Sequence, residues 1–311
     1  MTEMQPKLTT PWLLSDSDAA EGTAAERWEG MTVPTPWPAS YGGDLCVGAL
    51  NAVMRSAEVG QRPHALHVAF LRPGDSDAAV SYAVERVRDG FRYGNRAVRL
   101  SQDGTEIAMA TASVRKPRRG EEVRSPETPF GGDPLPAPDS LPTAAEAIAE
   151  RAPLASEHPD TAGLDEYWAA DRALDTRHID PPLYGEQVAP RTWNRLWVRF
   201  TADAAEQREL LGTPNGRAAL VAYLADDTIL EPAIASLGHG WLTPNLFSTT
   251  VEQNVWFHAD FDASDWLLFS QRLVSRAGDH VVCRGELFTP AGTLVATVLQ
   301  EGIVRVRPPA A

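Results

Sequence analysis

The feature of this sequence that most restricts its fold is an internal duplication. A predicted helix followed by strands of alternating apolar and polar residues occupies residues 41–116, and the same order returns in residues 176–307. The strand after Gly104 aligns with the strand after Gly292, and turn dipeptides such as Asp103-Gly104 indicate antiparallel meanders. We therefore expect an α+β fold built from two helix-plus-antiparallel-sheet units fused in one chain.

The predicted domain boundaries follow from a change of composition between the two halves. Residues 117–190 hold twelve of the twenty-five prolines and many acids, which is typical of an extended linker that forms little core. The predicted boundaries are 1–116 for an N-terminal unit, 117–175 for a proline- and acid-rich linker, and 176–311 for a C-terminal unit. The linker can hold short helices at residues 144–151 and 164–173. Residues 1–40 are expected to be helix-like and rich in turns.

The charge balance narrows the class of partner. The chain has 28 basic and 42 acidic residues and a formal net charge of −14, which argues against a nucleic acid or an anionic membrane surface as the main partner. We find no apolar run long enough to span a membrane and no signal sequence. Cys46 and Cys283 each lie in an apolar segment, which favours buried thiols in a reducing compartment. We expect a cytoplasmic protein with no membrane partner, for which a homo-oligomer is possible.

Two adjacent acids stand out in the second half. Residues Ala219–Leu230 (ALVAYLADDTIL) are predicted to form a buried helix with Asp226 and Asp227 in its middle. A carboxylate in so apolar a segment is costly to desolvate unless it is paired or used. Adjacent helical side chains point about a third of a turn apart, so at most one of the two acids should face a site. The alternative interpretation is a helix surface at which acids meet solvent.

Four separated motifs carry a family resemblance. They are RPHALHVAFLRPGD (62–75), YAVERVRDG (82–90), NVWFHADFDASDWLLFS (254–270) and GTLVATVLQEG (292–302). Together they closely resemble the bacterial acyl-CoA thioesterase II family. The resemblance implies a double hotdog fold and an enzyme of acyl-CoA and fatty acid metabolism. Such an enzyme hydrolyses its acyl-CoA substrate to a free carboxylic acid and CoA, and we expect neither a cofactor nor a metal.

The resemblance also implies which residues act. The family's triad of Asp, Thr and Gln polarises the attacking water, and the matching positions here are Asp226, Thr250 and Gln300. At the repeat-related positions of the first half the chain has Asn51 and Ala112. Because asparagine cannot act as a general base, we predict one active site per chain, carried by the C-terminal unit.

Each candidate residue has a structural alternative. Thr250 is adjacent to Thr249, and threonine is common in strands for reasons of propensity alone. Gln300 interrupts an apolar strand, where a buried amide needs hydrogen-bond partners in any case. Asp227 departs from the family, which often has Asp-Leu-Asn where this chain has Asp-Asp-Thr. The second acid either raises the pKa of its neighbour or only faces solvent.

The function has two alternatives of its own. A GxSxG motif is absent, so a serine nucleophile is not expected. A non-catalytic acyl-CoA or fatty-acyl binding protein would share the pocket of the enzyme, and a thiol-release assay separates the two. A hotdog hydratase or dehydratase would need an Asp and His pair in a short motif at the helix entry, which we do not find.

Other residues suited to ligands are left unassigned. The densest basic cluster consists of Arg86, Arg88, Arg92, Arg96 and Arg99. Arginine suits the phosphates of CoA, but solvent-facing strand positions paired with acids explain the cluster at least as well. Gly42 and Gly43 are a weak phosphate-binding signal, and such glycines more often allow close packing.

The histidines give no metal site. His64, His67 and His258 lie on or beside predicted strands without the spacing of a metal triad. We expect packed or hydrogen-bonded side chains there.

Overall fold

The computed structural model describes residues 12–17, 25–37, 39–117, 134–151, 154, 161–170, 174–201 and 205–307. By its contacts the chain divides into two compact units, unit 1 with residues 1–123, 202–227 and 252–260, and unit 2 with residues 124–201, 228–251 and 261–311. Much of the predicted linker, including residues 118–133, lies outside the described residues. The sequence-based domain boundaries stay a prediction.

The elements alternate between strands and short helices. The described helices are α1 (Gly42–Arg55), α2 (Ala144–Glu150), α3 (Leu164–Ala169), α4 (Ala205–Gly212), α5 (Pro214–Leu224) and α6 (Glu231–Ser236). The described strands are β1 (Ser15–Asp16), β2 (Glu26–Gly30), β3 (Arg62–Phe70), β4 (Val80–Asp89), β5 (Tyr93–Gln102), β6 (Thr105–Arg115), β7 (Leu174–His178), β8 (Trp193–Phe200), β9 (Leu246–Phe257), β10 (Leu267–Ala277), β11 (His280–Phe288) and β12 (Leu294–Val306). Within the described ranges, no helix is both long and apolar enough to cross a membrane.

Unit 1 is an antiparallel sheet with a buried helix against it. Its strand order is β1-β2-β4-β5-β6-β3, and residues 252–256 of β9 pair with residues 65–69 of β3. α1 packs against β2 to β6 and against α5. Every residue of α1 from Gly43 to Val53 is buried, because apolar or small side chains occupy nearly all of its surface. The helix is therefore the centre of the core of unit 1.

Unit 2 is also built from antiparallel strands and has its own helices. Its strand order is β12-β11-β10-β8-β7, and α6 packs against four of these strands, β8 and β10 to β12. α3 falls within the predicted linker, yet Leu164, Tyr167 and Trp168 are buried in a hydrophobic cluster with Tyr184 and Leu242. Two large aromatic side chains bury enough apolar area to order this segment, in agreement with the short helix expected at residues 164–173.

The predicted helix over Ala219–Leu230 is wrong in its second half. α5 ends at Leu224, and residues 225–230 form turns that lead into α6. The backbone N–H groups of Asp226 and Asp227 donate three residues back instead of four, over 3.3 and 3.1 Å. Aspartate and threonine are weak helix formers, and Pro232 favours a new helix start. The two acids therefore follow a helix and do not lie within one.

The strand predictions are confirmed, with two omissions. The β5–β6 turn contains Asp103 at φ 47° and Gly104 at φ 77°, the left-handed values that a tight hairpin needs. Gly292, its repeat-related residue between β11 and β12, has φ 82°. The omissions are β1 and β2, which pair with each other although residues 1–40 were expected to be helix-like and rich in turns. The longer of the two, β2, also pairs with β4. Its sequence, ERWEG, has one large apolar residue and so lacks a visible alternation.

Candidate active site

The end of α5 is held by side chains from two other parts of unit 1. The Tyr41 hydroxyl donates to the Tyr223 carbonyl oxygen over 2.8 Å, and Gln253 Nε2 donates to the Ala222 carbonyl oxygen over 3.0 Å. The last carbonyl groups of a helix have no partner within the helix, so these bonds satisfy two of them. They fix the backbone immediately before Asp226.

The Asp226 carboxylate lies against the N-terminal end of α1. A Cβ atom on Gly42, the first residue of α1, would stand 2.6 Å from Asp226 Oδ2. A Cβ atom on Gly43 would stand 2.7 Å from the Tyr223 carbonyl oxygen. Glycine at both positions allows this approach, which confirms the packing interpretation of the Gly-Gly pair. The partial positive charge of a helix N-terminus stabilises a carboxylate placed there.

Sequence analysis missed a second carboxyl group at the same helix end. Asp44 lies in the first turn of α1, its side chain is buried, and its Oδ2 accepts the Val33 backbone N–H over 2.7 Å. Burial raises the pKa of Asp44 to about 7, the Val33 hydrogen bond works against that rise, and the charge of Asp226 adds to it. A carboxylate at the start of an apolar run was the signal that could have found it.

Thr250 and Gln300 are brought together in unit 2. Gln300 on β12 is buried, and its Nε2 donates to Thr250 Oγ1 on β9 over 2.6 Å. Thr250 is half-buried, whereas the adjacent Thr249 is exposed, which distinguishes the two threonines. Because the hydroxyl of Thr250 accepts from Gln300, its own proton is directed to a second group.

Asp226 belongs to unit 1, whereas Thr250 and Gln300 belong to unit 2. That the three act as one triad stays a prediction.

The segment that follows Asp227 is anchored by a buried polar network of unit 2. Gln271 Nε2 donates to Thr228 Oγ1 over 2.6 Å, and the Glu231 carboxylate accepts from Asn194 Nδ2 over 2.5 Å and from Trp241 Nε1 over 3.0 Å. Buried polar groups are tolerated when they are bonded to one another in this way. The network fixes the start of α6, and sequence reasoning did not find it.

The repeat-related positions of the first half have a different environment. Asn51 is buried in α1 and its Nδ2 donates to the Trp12 carbonyl oxygen. Ala112 on β6 is buried and carries no polar group. Neither residue can take a proton from water. That this half carries no active site of its own stays a prediction.

The arginine cluster is largely paired with acids. Arg86 bonds to Glu26 over 2.8 Å and Arg99 to Glu106 over 2.7 Å. Arg96 is buried: it reaches Asp89 over 2.7 Å and donates to the hydroxyl and carbonyl oxygens of Ser56, the residue after α1. These contacts favour the structural interpretation, and we assign no residue to CoA.

The side chains of His64 and His67 are hydrogen-bonded, as expected. His64 Nδ1 lies 2.8 Å from Ser113 Oγ, and His67 Nδ1 lies 2.8 Å from Asn254 Oδ1. Burial is the main cause that lowers the pKa of His64. In the part of the chain that the structure describes, no group of three or more His, Cys, Asp or Glu side chains is arranged to hold a metal ion.

The predicted buried thiols are confirmed. Cys46 and Cys283 are both fully buried, and neither is part of a disulfide bond. Burial raises the pKa of Cys283 to about 12 and that of Cys46 well above its usual value. Neither thiol can act as a nucleophile at neutral pH.

Comparison with known proteins covers most of the chain. Residues 33–115 match the family model of the acyl-CoA thioesterase N-terminal domain, and residues 145–304 match that of the acyl-CoA thioesterase C-terminal domain. Acyl-CoA thioesterase 2 of Haemophilus influenzae is 26% identical over 267 residues, which are 85% of this chain and 87% of that protein.

Solved structures agree with the family match. The tesB protein of Mycobacterium avium subspecies paratuberculosis superposes with a TM-score of 0.67 and 28% identity, covering 91% of this chain and 96% of that one. Acyl-CoA thioesterase II of Mycobacterium marinum superposes with a TM-score of 0.71 and 23% identity, covering 97% and 99%, and bears on the fold alone.

Two helix-plus-sheet units with these structural relatives define a double hotdog fold of the thioesterase type. The chain belongs to the acyl-CoA thioesterase family, and its reaction is the hydrolysis of an acyl-CoA thioester. The matches give no support to a hydratase, a dehydratase or a non-catalytic binding protein.

Proposed function

We propose that this chain hydrolyses acyl-CoA by general-base activation of water, with Asp226 as the base and Thr250 and Gln300 as the pair that orients the water. The observation that carries the proposal is the hydrogen bond of 2.6 Å from Gln300 Nε2 to Thr250 Oγ1. Two residues fifty positions apart, selected for their resemblance to a catalytic triad, thus contact each other. A buried amide and a hydroxyl in contact form a rigid polar element suited to holding a water molecule.

The chemistry requires one proton acceptor and one orienting group. The Asp226 carboxylate takes a proton from water while the water oxygen bonds to the thioester carbonyl carbon. Collapse of the tetrahedral intermediate breaks the C–S bond, and the departing thiolate takes the proton back from Asp226. The products are a free carboxylic acid and CoA, and the side chains return to their starting state.

Support for Asp226 as the base comes from its surroundings in unit 1. The residue is half-buried, follows a helix whose end is held by Tyr41 and Gln253, and lies against the N-terminal end of α1. A base must be held in one place to act on water, and it must reach solvent to receive it. Asp226 meets both conditions, whereas the buried Asp44 meets only the first.

We also propose that the enzyme acts in the cytoplasm, in fatty acid metabolism, with no nucleic acid or membrane as a partner. The net charge of −14 supports this because it disfavours polyanionic surfaces. A homo-oligomer remains compatible with the proposal, and light scattering measures it.

The test is a thiol-release assay on purified protein with saturated acyl-CoA esters of increasing chain length. We expect stoichiometric release of CoA thiol and free acid. Binding of acyl-CoA without thiol release would overturn the enzymatic proposal in favour of a binding protein. Hydration of an enoyl-CoA, detected as a loss of its ultraviolet absorbance, would overturn the proposal in favour of a hydratase.

A further inference from the structure

The buried Asp44 side chain is not explained by the hydrolytic mechanism. Its Oδ2 accepts one backbone N–H, from Val33, and its Oδ1 is buried without a hydrogen bond among the described residues. A carboxylate in such a place lacks the two or three donors that would stabilise its charge. A neutral carboxylic acid fits the site better, because burial penalises only the charged form.

The groups that face Asp44 come from three elements of unit 1. Cys46 is on α1 itself, and Asp226 comes from the turn after α5. Tyr82 comes from β4: a Cβ atom on Gly48, one turn along α1 from Asp44, would stand 2.2 Å from the Tyr82 hydroxyl oxygen. Burial is the main cause that raises the pKa of Tyr82, and the charge of Asp44 adds to the rise. These three facing groups include no cation.

Asp44 and Asp226 thus share one helix end but differ in solvation. Asp44 is fully buried, whereas Asp226 is half-exposed. When two carboxyl groups interact, the more desolvated one holds the proton and the other stays ionised. The pKa of Asp44 is raised to about 7, so it gives up its proton only as the pH rises through neutrality.

We propose that Asp44 is a positioning residue for the hydrolysis. As a neutral acid it leaves the N-terminal end of α1 to the Asp226 carboxylate, and as a carboxylate it repels Asp226 from its place against Gly42. Ionisation also puts a second negative charge in the first turn of α1 and cancels part of the positive helix end. This inference rests on the proposed role of Asp226 as the base.

The expected consequence is a loss of activity on the alkaline side. In the wild-type enzyme we expect kcat/KM to fall by about fivefold or more between pH 6 and pH 9, after subtraction of spontaneous thioester hydrolysis, since one pKa unit of interaction is tenfold. Asp44→Asn keeps the shape of the neutral acid and has no proton to lose, so its profile should be flat over this range. The change should appear mainly in kcat, because Asp44 does not touch the substrate.

The matched control is Tyr82→Phe, which removes a buried hydroxyl from the same side of α1 but leaves both carboxyl groups. It should keep the alkaline fall of the wild type. A fall that persists in Asp44→Asn, or a wild-type profile with no fall, would overturn the inference.

A second measurement needs no variant and keeps the inference testable if Asp44→Asn does not fold. Infrared spectra of the wild-type enzyme labelled with [13C]aspartate should show the carbonyl band of one protonated aspartic acid at pH 6, and this band should disappear as the pH rises through 7. Absence of the band at pH 6 contradicts the inference. Asp226→Ala separates the two proposals. Full activity of that variant would overturn the role of Asp226 as the base, whereas the infrared band tests the protonation of Asp44 and does not depend on that role.

Discussion

The two copies of the repeat use the same sequence positions in different ways. In the first half Asn51 donates to the Trp12 carbonyl oxygen, and Ala112 is buried and carries no polar side-chain group. In the second half Asp226 is half-exposed and Gln300 is bonded to Thr250. In the first copy the polar side chain, Asn51, is bonded to a backbone carbonyl group. In the second copy the Asp226 carboxylate is still accessible to solvent. The comparison shows that one polar position of the repeat is used for packing in the first copy and carries the proposed base in the second.

The helices of the two copies differ in the same sense. Asn51 lies inside α1, which continues to Arg55, whereas Asp226 follows the last residue of α5. A residue inside a buried helix cannot change its direction without moving the helix. A residue in a turn depends on capping bonds, here from Tyr41 and Gln253, for a fixed position.

The largest expected effect comes from removing the proposed base. Asp226→Ala should lower kcat by roughly 10²–10⁴ with a smaller change in KM, the usual range for loss of general-base catalysis. Steady-state thiol release measures it, and an unchanged melting curve shows that the variant is folded. Full activity in the folded variant would remove Asp226 from the mechanism.

The control for this variant is Asp227→Asn, which removes the adjacent carboxylate from the same turn. It should change kcat by less than about twofold, as is usual for a surface charge outside the site. An equal and severe loss in both variants, with lowered melting temperatures, would indicate damage to the turn instead of loss of a base.

An intermediate effect is expected for the orienting pair. Gln300→Ala should lower kcat by about 10–10², because the water loses its alignment but keeps its base. The double variant of Gln300→Ala with Asp226→Ala should cost much less than the product of the two single losses, since groups that act on one water are not additive. Multiplicative losses would mean that the two residues act on different steps.

The substitution with the smallest expected effect on catalysis is in the first half of the chain. It should change the stability of the protein instead. Asn51→Asp places a carboxylate oxygen against the Trp12 carbonyl oxygen where an amide donor stood. It should lower the free energy of unfolding by about 1–3 kcal/mol at pH 7, the cost of an unpaired buried group, without creating activity in the Asp226→Ala background.

The control for this prediction is the pH dependence of the stability of Asn51→Asp. A protonated aspartic acid can donate to the Trp12 carbonyl oxygen, so the folded-state pKa of the new residue is raised above its unfolded value of about 3.9. Stability relative to wild type is therefore retained below pH 4 and is lost as the pH rises through the folded pKa. A pH-independent loss in urea titrations would mean that packing, and not the lost donor, is responsible.

Local patterns in the sequence predicted most of the strands. Alternation and the Asp103-Gly104 dipeptide sufficed because a hairpin is set by neighbouring residues. The end of α5 was not predicted, because the apolar run continues through Ile229 and hides the turn at Asp226. Tertiary contacts of the residues before and after the turn determine where the helix ends. Such contacts cannot be predicted from the periodicity of the sequence.

The site was predictable only in part, for a related reason. Thr250 and Gln300 were found through a resemblance that spans both halves. The partners that matter to Asp44 and to α5 are far away in the sequence: Val33 is 11 residues from Asp44, and Gln253 is 31 residues from Ala222. No spacing rule connects such residues, so only the folded chain reveals them.

The buried guanidinium of Arg96 restricts which residues position 96 can accept as the sequence evolves. Its Nε and Nη2 donate to the hydroxyl and carbonyl oxygens of Ser56, the residue after α1, and Nη2 also donates to Asp89. Its Nη1 donates to the carbonyl oxygens of Arg88 and Asn95. Lysine concentrates its donors on one atom and cannot span this arrangement, so it would leave an uncompensated charge in the core. Position 96 should therefore resist even the mildest substitution, although Arg96 has no part in the proposed hydrolysis.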